Sequence, residues 1–567
     1  MAQSDSYKWT ALSNTTLGIF MAALDASIVI ISLPAIFRGI DLNPLLPSNI
    51  SFLLWTLMGY MVCTAVLVVT FGRLGDIYGR VRMYNAGFAV FTIASVALAL
   101  TPGIGASAAI YLISMRIVQG VGGALLMANS GAILTDAFPA NQRGLALGIN
   151  QVAAIAGSFI GLIAGGVLAA INWRLIFWIN VPVGTFGTLW AYWKLRDTGT
   201  RKKESIDWWG NATFAVGLVL VLVGITYGIQ PYGGHTMGWT SPMVLGALIG
   251  GMVLLGAFAL IELNVKEPMF NLRLFKIRAF TAGNLASLLA SIGRGGMQFM
   301  LIIWLQGIWL PLHGYSFEST PLWAGIYMLP LTFGFLCAGP ISGWLSDKFG
   351  AKYFATGGML LGAAAFGLLI VLPVNFSYWA FAAALLMSGI GSGLFSAPNS
   401  TAIMNSVPAH DRGQASGMRA TFQNSGQVLS IGIFFSLMII GLSASLPTAI
   451  FSGLTAEGIP TAVAHTVASA PPVSSLFAAF LGYNPMQQLI PAGVLSALPA
   501  GHAAILTGTT FFPNLISAPF KQGLAITFML SIIAYIIAAI ASWLRGERYV
   551  HGETPEDKAL SIEGIFE

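Results

Sequence analysis

The sequence predicts an all-α polytopic membrane protein with fourteen transmembrane helices. Three observations support this fold class: an apolar composition, a series of apolar runs long enough to span a bilayer, and an uneven distribution of basic residues between loops. Of the 567 residues, 56% are hydrophobic and 8% are charged, whereas soluble domains carry about 25% charged residues. The net charge of +6 predicts no nucleic-acid partner, because the basic residues lie in loops between apolar segments.

Fourteen apolar runs approach the ~20 residues that a spanning helix needs. Their predicted starts lie near Thr10, Ser51, Met83, Ala106, Leu145, Trp173, Asn211, Ser241, Thr281, Leu322, Tyr353, Tyr378, Ala415 and Gln522. The apolar stretch around residues 470 to 515 is interrupted by APP, YNP, IPAG and FFPN. It is therefore predicted to be a long loop, with a partly inserted hairpin as the alternative.

The lysines and arginines predict the orientation, because they concentrate in cytoplasmic loops. With a cytoplasmic N-terminus, 20 of the 26 basic residues lie inside. Three lie outside, namely Arg38, Arg174 and Lys521. The other three lie within helices, namely Arg116, Arg294 and Arg419. This asymmetry requires an even number of helices, so both termini are predicted to be cytoplasmic.

The chain repeats itself. GRLGDIYG from Gly72 resembles GWLSDKFG from Gly343, and PANQRGLALGINQVAAIAG from Pro139 aligns with PAHDRGQASGMRATFQNSG from Pro408, at offsets of 271 and 269. These offsets accommodate eight helices better than six, which predicts two six-helix halves with an inserted pair. Parallel repeats of this kind place a substrate site between the halves, near the bilayer midplane.

The predicted division of the chain follows from this repeat. It consists of an N-terminal six-helix bundle at 1–205, an inserted helix pair with linkers at 206–270, a C-terminal six-helix bundle at 271–550 with a long outer loop at about 442–520, and a cytoplasmic tail at 551–567. The outer loop is expected to gate the exit, bind a partner or guide a lipid-like substrate.

The sequence predicts no enzyme, metal site or cofactor. No catalytic constellation and no phosphate-binding Walker loop is present. The six histidines are scattered without the spacing of metal ligands.

Two ionisable residues at depth are the main functional signal. Asp25, in MAALDASIVIISLP, is the only acidic residue well inside an apolar run, and Arg116 lies in MRIVQGVGGALL of the fourth helix beside Gln119. Burial of such a group costs about 2.5 to 3.5 kcal/mol on insertion scales, and such groups mark ion pathways and proton relays. We expect Asp25 and Arg116 to couple protons. A structural pair, or an Arg116 that reaches to an interface, is the alternative.

Polar residues at three- and four-residue spacing form a stripe on each of two helices. The stripes comprise Asn284, Ser287, Ser291, Arg294 and Gln298 on the ninth helix, and Ser416, Arg419, Gln423, Gln427 and Ser430 on the thirteenth. We predict that they form the wall of a substrate cavity. A polar seam between helices is the alternative, and Arg419 alternatively anchors its helix at the interface.

The fifth helix carries Gly157, Gly161 and Gly165, a doubled GxxxG pattern. Small residues at this spacing let two helix backbones approach closely. The pattern predicts a packing face, and in its functional form a tight seam that closes one end of the cavity.

The turn RLGDIYGRVR between the second and third helices is rich in charge. Asp76 is expected to cap the third helix and to pair with Arg80, while Gly72 and Gly79 permit a neighbouring helix end to approach. With Asp347 of the second copy, this inner-gate motif is interpreted as a latch that holds the outward-facing state. A plain topology signal is the simpler interpretation.

These motifs together resemble the major facilitator superfamily, and more narrowly its fourteen-helix drug:proton antiporters, the QacA- and EmrB-like group. LDASIVIISLP, GRLGDIYGRVR, RIVQGVGGA, NWRLIFWINVPVG and DWWGN carry the resemblance, which spans nearly the whole chain. The family's acidic residue of the first helix falls on Asp25 and its basic residue of the fourth helix on Arg116. Leu162 stands where the antiporter motif of the fifth helix has a proline.

The resemblance implies the major facilitator fold and proton-coupled efflux of hydrophobic or amphipathic molecules, including drugs, by alternating access. It implies a multi-pass protein of a prokaryotic cell membrane that uses the proton gradient instead of a cofactor. The protein is expected to be a monomer, and any partner is expected to bind at the long outer loop. Export or flipping of an amphipathic lipid is the second interpretation, a proton-coupled nutrient symporter the third and a non-transporting membrane sensor the last.

Overall fold

The computed structural model describes residues 5–43, 45–138, 142–197, 207–265, 268, 270–408, 412–482 and 484–546. Within these residues the regular secondary structure is helical, apart from one isolated β-bridge between Tyr232 and His235. Fourteen of the described helical segments are long and apolar enough to cross a membrane. The predicted fold class is confirmed.

The N-terminal half and the inserted pair contain nine helices within the described residues. They are α1 (Asp5–Gly39), α2 (Pro47–Tyr78), α3 (Arg80–Ala99), α4 (Gly105–Ala137), α5 (Arg143–Ile171), α6 (Leu175–Trp178), α7 (Asn180–Lys194), α8 (Trp208–Gly228) and α9 (Pro242–Asn264). The short α6 and α7 together make the sixth span.

The C-terminal half begins after a 3₁₀ helix at Leu272–Lys276. Its spans are built from α10 (Arg278–Trp304), a π-helical turn at Leu305–Trp309, α11 (Leu310–Leu312), α12 (Thr320–Tyr327), α13 (Leu329–Phe349), α14 (Ala351–Val371), α15 (Tyr378–Asn405), α16 (Arg412–Ala456) and α22 (Phe511–Trp543). Between α16 and α22 lie α17 (Thr461–Ala468), α18 (Pro472–Phe480), α19 (Met486–Leu489), α20 (Ala492–Ala497) and α21 (Ala500–Thr507).

The repeated motif breaks a helix in the same way in both halves. Gly79, with φ 109°, separates α2 from α3, and Gly350, with φ 83°, separates α13 from α14. Side chains other than glycine rarely adopt such a positive φ. The two glycines are 271 positions apart, the offset of the motif itself, so the repeat preserves a backbone turn.

Each half packs as one bundle. In the first, α1 lies along α5, α2 and α3 lie against α4, and α7 packs on α3 and α1. In the second, α13 and α14 pack on α15, and α10 packs on α16 and α22. The halves meet where α2 contacts α16 and where α5 contacts α12 and α13. Of the inserted pair, α8 touches both α2 and α16, and α9 packs mainly on α8.

The connection between the thirteenth and the last span is shorter than the predicted loop. The thirteenth span continues to Ala456 and the last one begins at Phe511, so the connection covers 457–510 instead of about 442–520. Its prolines start helices as well as break them, because each of its five short helices follows a proline at the N-cap position: Pro460, Pro471, Pro485, Pro491 and Pro499.

One helix of the 457–510 connection, α18, is buried between the two halves of the protein. All nine of its residues are buried. Phe477 packs against Phe435 with ring centroids 5.2 Å apart, and Phe480 lies 4.9 Å from the ring of Phe299. The α18 helix contacts α2 of the first half and α10 and α16 of the second. It therefore fills the space between the halves at the predicted outer side.

Candidate functional site

Asp25 is the centre of a buried polar network in the N-terminal half. The residue is fully buried, and Arg116 is 1% exposed. Arg116 Nη1 donates to Asp25 Oδ2 at 2.5 Å, while Gln119 Nε2 and Asn180 Nδ2 donate to Asp25 Oδ1 at 2.9 and 2.7 Å. The network joins α1, α4 and α7. Both carboxylate oxygens are thus satisfied by side chains that donate.

Arg116 is itself held on several sides. Its Nη1 also donates to Gln119 Oε1 at 2.5 Å, and its Nε donates to the Thr56 carbonyl oxygen at 3.3 Å. Its guanidinium lies 4.5 Å from the ring centroid of Tyr60, a cation–π contact. Gln119 additionally donates to Ser95 Oγ at 2.9 Å. Arg116 is therefore buried within the protein and directed at Asp25.

The glycine face of α5 fixes the helix that carries Asp25. A Cβ added to Gly161 would lie 2.6 Å from the carbonyl oxygen of Leu24, and one added to Gly165 would lie 2.9 Å from that of Ile28. An added Cβ on Gly157 would clash with the carbonyl oxygen of Phe20. The three glycines therefore let α5 lie directly on α1, within one half.

The contact of α5 with the other half involves different residues. A Cβ on Gly166 would meet the backbone of Leu322, and one on Gly325 would lie 2.8 Å from the carbonyl oxygen of Leu162. Leu162, at the position of the expected proline, thus lies in the close approach between α5 and α12.

A second polar region lies inside the C-terminal half. It is a cavity of about 30 Å³ between α10, α14, α15, α16 and α22, with room for about two water molecules. Its polar lining is Ser287, Ser291, Arg294, Ser392, Ser396, Asn399, Ser400, Arg419, Gln423 and Tyr535. Five residues of the two predicted stripes line it: Ser287, Ser291, Arg294, Arg419 and Gln423.

The other predicted cavity residues lie beside this lining in the described structure. Asn284 is 1% exposed and donates to the carbonyl oxygen of Phe280 at 2.9 Å. Gln298 and Gln427 are half-buried. The backbone of Gln427 is packed against Gly295, because a Cβ there would lie 2.8 Å from its carbonyl oxygen.

The turn between α2 and α3 is fastened by Arg80. Its Nε donates to Asp76 Oδ1 at 2.8 Å, as expected, and its Nη1 donates to Asp136 Oδ1 at 2.7 Å. Each of the three side chains is about a quarter exposed, at 22 to 28%. Arg80 therefore ties the end of α2 to the end of α4.

Two expectations for this turn are wrong. Asp76 lies within α2 and does not cap α3; instead Asp197 Oδ1 accepts the backbone N–H of Val81 at 2.9 Å. No described atom lies within 4 Å of a Cβ added to Gly72, so that glycine permits no close approach here. Gly75 permits a close approach instead, because a Cβ added to it would clash with the side chain of Asn129.

The second copy of the motif is only partly described. The backbone of Asp347 belongs to α13, and its side chain lies outside the described part of the structure. The linker 198–206 and the tail 551–567 also lie outside the described residues.

Sequence reasoning missed Asn180, Asp136 and Asp197 as partners. Asn180 begins α7 within NWRLIFWINVPVG, a segment that carries part of the family resemblance. An unusual polar residue between Ile179 and Val181 was the available signal. Asp136 lies in the last turn of α4 and Asp197 in the coil after α7, where an acidic residue has no diagnostic spacing.

Comparison with known proteins identifies the family. Residues 15–431 match the model of the Major Facilitator Superfamily. A bacterial homologue of the human lysosomal transporter Spinster, solved in an inward-facing and unoccupied conformation, aligns over 96% of this chain and 98% of its own with a TM-score of 0.56 and 15% identity. The xylose transporter XylE from E. coli aligns over 76% and 90% with a TM-score of 0.51 and 15% identity. At these identities the likeness concerns the fold alone.

Several curated relatives are similar in sequence over most of the chain. The tetracenomycin C resistance and export protein of Streptomyces glaucescens is 27% identical, covering 95% of this chain and 91% of its own. Multidrug resistance protein 3 of Bacillus subtilis is 25% identical over 97% of both, and the riboflavin transporter RibZ of Clostridioides difficile is 29% identical over 77% and 89%. The chain belongs to the major facilitator superfamily, in its fourteen-helix class similar to multidrug transporters, and is a membrane transporter and not an enzyme.

Proposed function

We propose that the protein is a proton-coupled antiporter that exports hydrophobic or amphipathic small molecules by alternating access. The observation that carries this proposal is the buried Asp25, whose only described ion-pair partner is Arg116. Relatives named for resistance and export support the outward direction.

The donors around Asp25 suit a carboxylate that is repeatedly protonated. Arg116, Gln119 and Asn180 stabilise its charged form by hydrogen bonds, while burial disfavours any charge. When a proton neutralises Asp25, Arg116 retains Gln119 and Tyr60 as partners. The network therefore tolerates both protonation states without leaving Arg116 unpartnered.

The proposed cycle uses these two states. Protonation of Asp25 from the outside favours substrate release and return to the inward-facing state. Deprotonation toward the cytoplasm restores the state that takes up a new substrate. Both termini are cytoplasmic in this proposal, and the energy comes from the proton gradient of a bacterial cell membrane.

The test is transport by proteoliposomes with and without a pH gradient. Asp25→Asn is expected to abolish gradient-driven transport while it retains substrate exchange at equal pH, because exchange requires no net proton movement. Asp41→Asn is the matched control: it makes the same change at the outer end of the α1 segment, where Asp41 is exposed and has φ 54°, which asparagine tolerates. Normal gradient-driven transport by Asp25→Asn would remove Asp25 from the mechanism.

A proton-coupled uptake system is the second candidate function. One relative is named as a transporter of riboflavin and not as a resistance or export protein. The same fold and the same buried pair serve import if proton and substrate move together. Accumulation of substrate inside right-side-out vesicles, driven by an inward proton gradient, is the result that would select uptake over export.

Export or flipping of an amphipathic lipid is a variant of the proposal and not a separate fold. The protein is proposed to act as a monomer, with the 457–510 connection gating the exit or binding a partner. A fluorescent lipid whose transfer between leaflets depends on Asp25 would support lipid export over drug export.

A further inference from the structure

The two halves of the protein place opposite charges at equivalent positions. Asp25 and Arg294 are 269 positions apart, the offset that also relates the repeated motifs at Pro139 and Pro408. Asp25 is neutralised by Arg116. Arg294 faces a cavity that supplies it with no carboxylate.

The cavity in the C-terminal half is positively charged. Arg294 and Arg419 are the charged residues among the thirteen that line it, and no lining residue is acidic. Neither arginine forms an ion pair with a described acidic residue. Arg419 Nη1 donates to Gln423 Oε1 at 3.1 Å, and Arg294 lies 5.8 Å from the ring centroid of Phe335. Both guanidinium groups thus keep donors free for a ligand.

A third arginine, which contacts a lining residue from outside the cavity, adds to the positive charge. Arg545, just beyond α22, is 5% exposed and donates from Nη2 to Asn399, which lines the cavity. Its Nε and Nη1 are buried and have no hydrogen-bond partner within the described residues. Burial lowers the pKa of Arg545 to about 10, so the side chain remains protonated at neutral pH.

An anion would balance this positive charge. Arg294 and Arg419 are half-buried within membrane spans. An arginine inside a span is costly and in transporters marks a substrate or ion pathway, and guanidinium groups match carboxylates and phosphates by paired hydrogen bonds. Ser287, Ser291 and Tyr535 in the lining offer further hydroxyl donors. The cavity of about 30 Å³ has room for a charged group of a few atoms, such as a carboxylate, and not for a whole drug-sized molecule.

We infer that this cavity binds the anionic head group of an amphipathic substrate, with Arg294 and Arg419 as its charged ligands and the apolar part of the substrate outside the cavity. The inference rests on the proposed export function only in calling the bound molecule a substrate. Binding of an anion in this cavity does not itself require transport.

The test measures binding by the full-length protein in nanodiscs of phosphatidylcholine. The probes are 1-naphthylacetate, its neutral amide 1-naphthylacetamide and the cation 2-(1-naphthyl)ethylamine, which share one apolar body. The carboxylate is expected to bind at least about tenfold more tightly than the other two, the gain typical of a hydrogen bond to a charged group. Arg294→Gln and Arg419→Gln should each remove most of this preference, and Arg294→Lys should keep part of it.

Arg174→Gln is the matched control, because Arg174 lies near the predicted outer side of the first half and donates to the carbonyl oxygen of Thr101. It should leave the preference intact. Equal binding of the three probes by the wild type, or an unchanged preference in both Arg294→Gln and Arg419→Gln, would overturn the inference. Adding phosphatidylglycerol to the nanodiscs separates two sources of the anion: competition that Arg294→Gln abolishes identifies a lipid head group, and the absence of competition identifies a free organic anion.

Transport assays distinguish failure of this inference from failure of the proposed function. Proton-driven export of the naphthylethylamine without any preference for the carboxylate would leave the export function standing and remove the anion site. Selective carboxylate binding without proton-driven export would support the anion site and remove the proposed export function.

Discussion

At the residue scale, the two clusters of charge in the N-terminal half differ in exposure and therefore in role. Asp25 and Arg116 are buried and matched donor for acceptor, so a change there leaves an unpaired group in a medium without water. Arg80 and its two carboxylates are about a quarter exposed, so solvent screens them and each bond contributes less. We therefore interpret the Arg80 cluster as a fastening of helix ends.

The Arg80 cluster gives the first prediction. Asp136→Asn and Asp76→Asn should each reduce transport without removing the protein from the membrane, because each frees one side of Arg80. The double variant should be less impaired than the sum of the two, with a coupling of at least about 0.5 kcal/mol. Initial transport rates, normalised to the amount of protein in the membrane, are the measurement. Strict additivity would mean that the two carboxylates act independently.

At the element scale, helix packing depends on where glycines permit contact. Gly161→Ala would push a methyl group to within 2.6 Å of the Leu24 carbonyl oxygen, and such overpacking typically costs about 1 to 3 kcal/mol. We expect a lower Tm and slower transport, because α1 carries Asp25. Gly148→Ala on the same helix is the control: no described atom lies within 4 Å of its Cβ, and alanine favours a helix by up to about 1 kcal/mol. Equal Tm values for both variants would contradict the packing account.

The inserted loop helix gives the third prediction. Phe480→Ala in α18 should lower the Tm and raise the proton leak of proteoliposomes without substrate, because Phe480 is fully buried between the halves and loss of a buried phenylalanine costs about 3 to 5 kcal/mol. Ile505→Ala in α21, where the side chain is 50% exposed, should change neither. A tight vesicle with Phe480→Ala would show that α18 does not seal the outer side.

Sequence reasoning predicted the elements better than their partners. Apolar runs of spanning length are visible in the sequence alone, and all fourteen were predicted. The start of the last span at Phe511 was missed because Pro513 and Pro519 lie in its first turns and resemble loop residues. The partners Asn180 and Asp136 were missed because a hydrogen bond between residues far apart in sequence leaves no local pattern.

At the scale of the whole molecule, alternating access requires that the halves move relative to each other. A Cβ on Gly417 of α16 would lie 3.9 Å from the Cβ of Val69 of α2, a separation that suits a disulfide. Val69→Cys with Gly417→Cys, in a chain whose Cys63 and Cys337 are replaced, should block transport when oxidised and restore it when reduced.

The control disulfide lies within one half. A Cβ on Gly343 of α13 would lie 3.6 Å from the Cβ of Ala397 of α15, so Gly343→Cys with Ala397→Cys should form a bond that leaves transport intact. Normal transport by the oxidised Val69–Gly417 pair would mean that α2 and α16 do not separate at this level during the cycle.

The central claim is that Asp25 carries the proton that is exchanged for substrate. The most direct test is to add an exported substrate to the purified protein in weakly buffered solution and to count released protons with a pH-sensitive dye. The account predicts about one proton released per substrate bound by the wild type and none by Asp25→Asn. Release of the same number of protons by both proteins would contradict it.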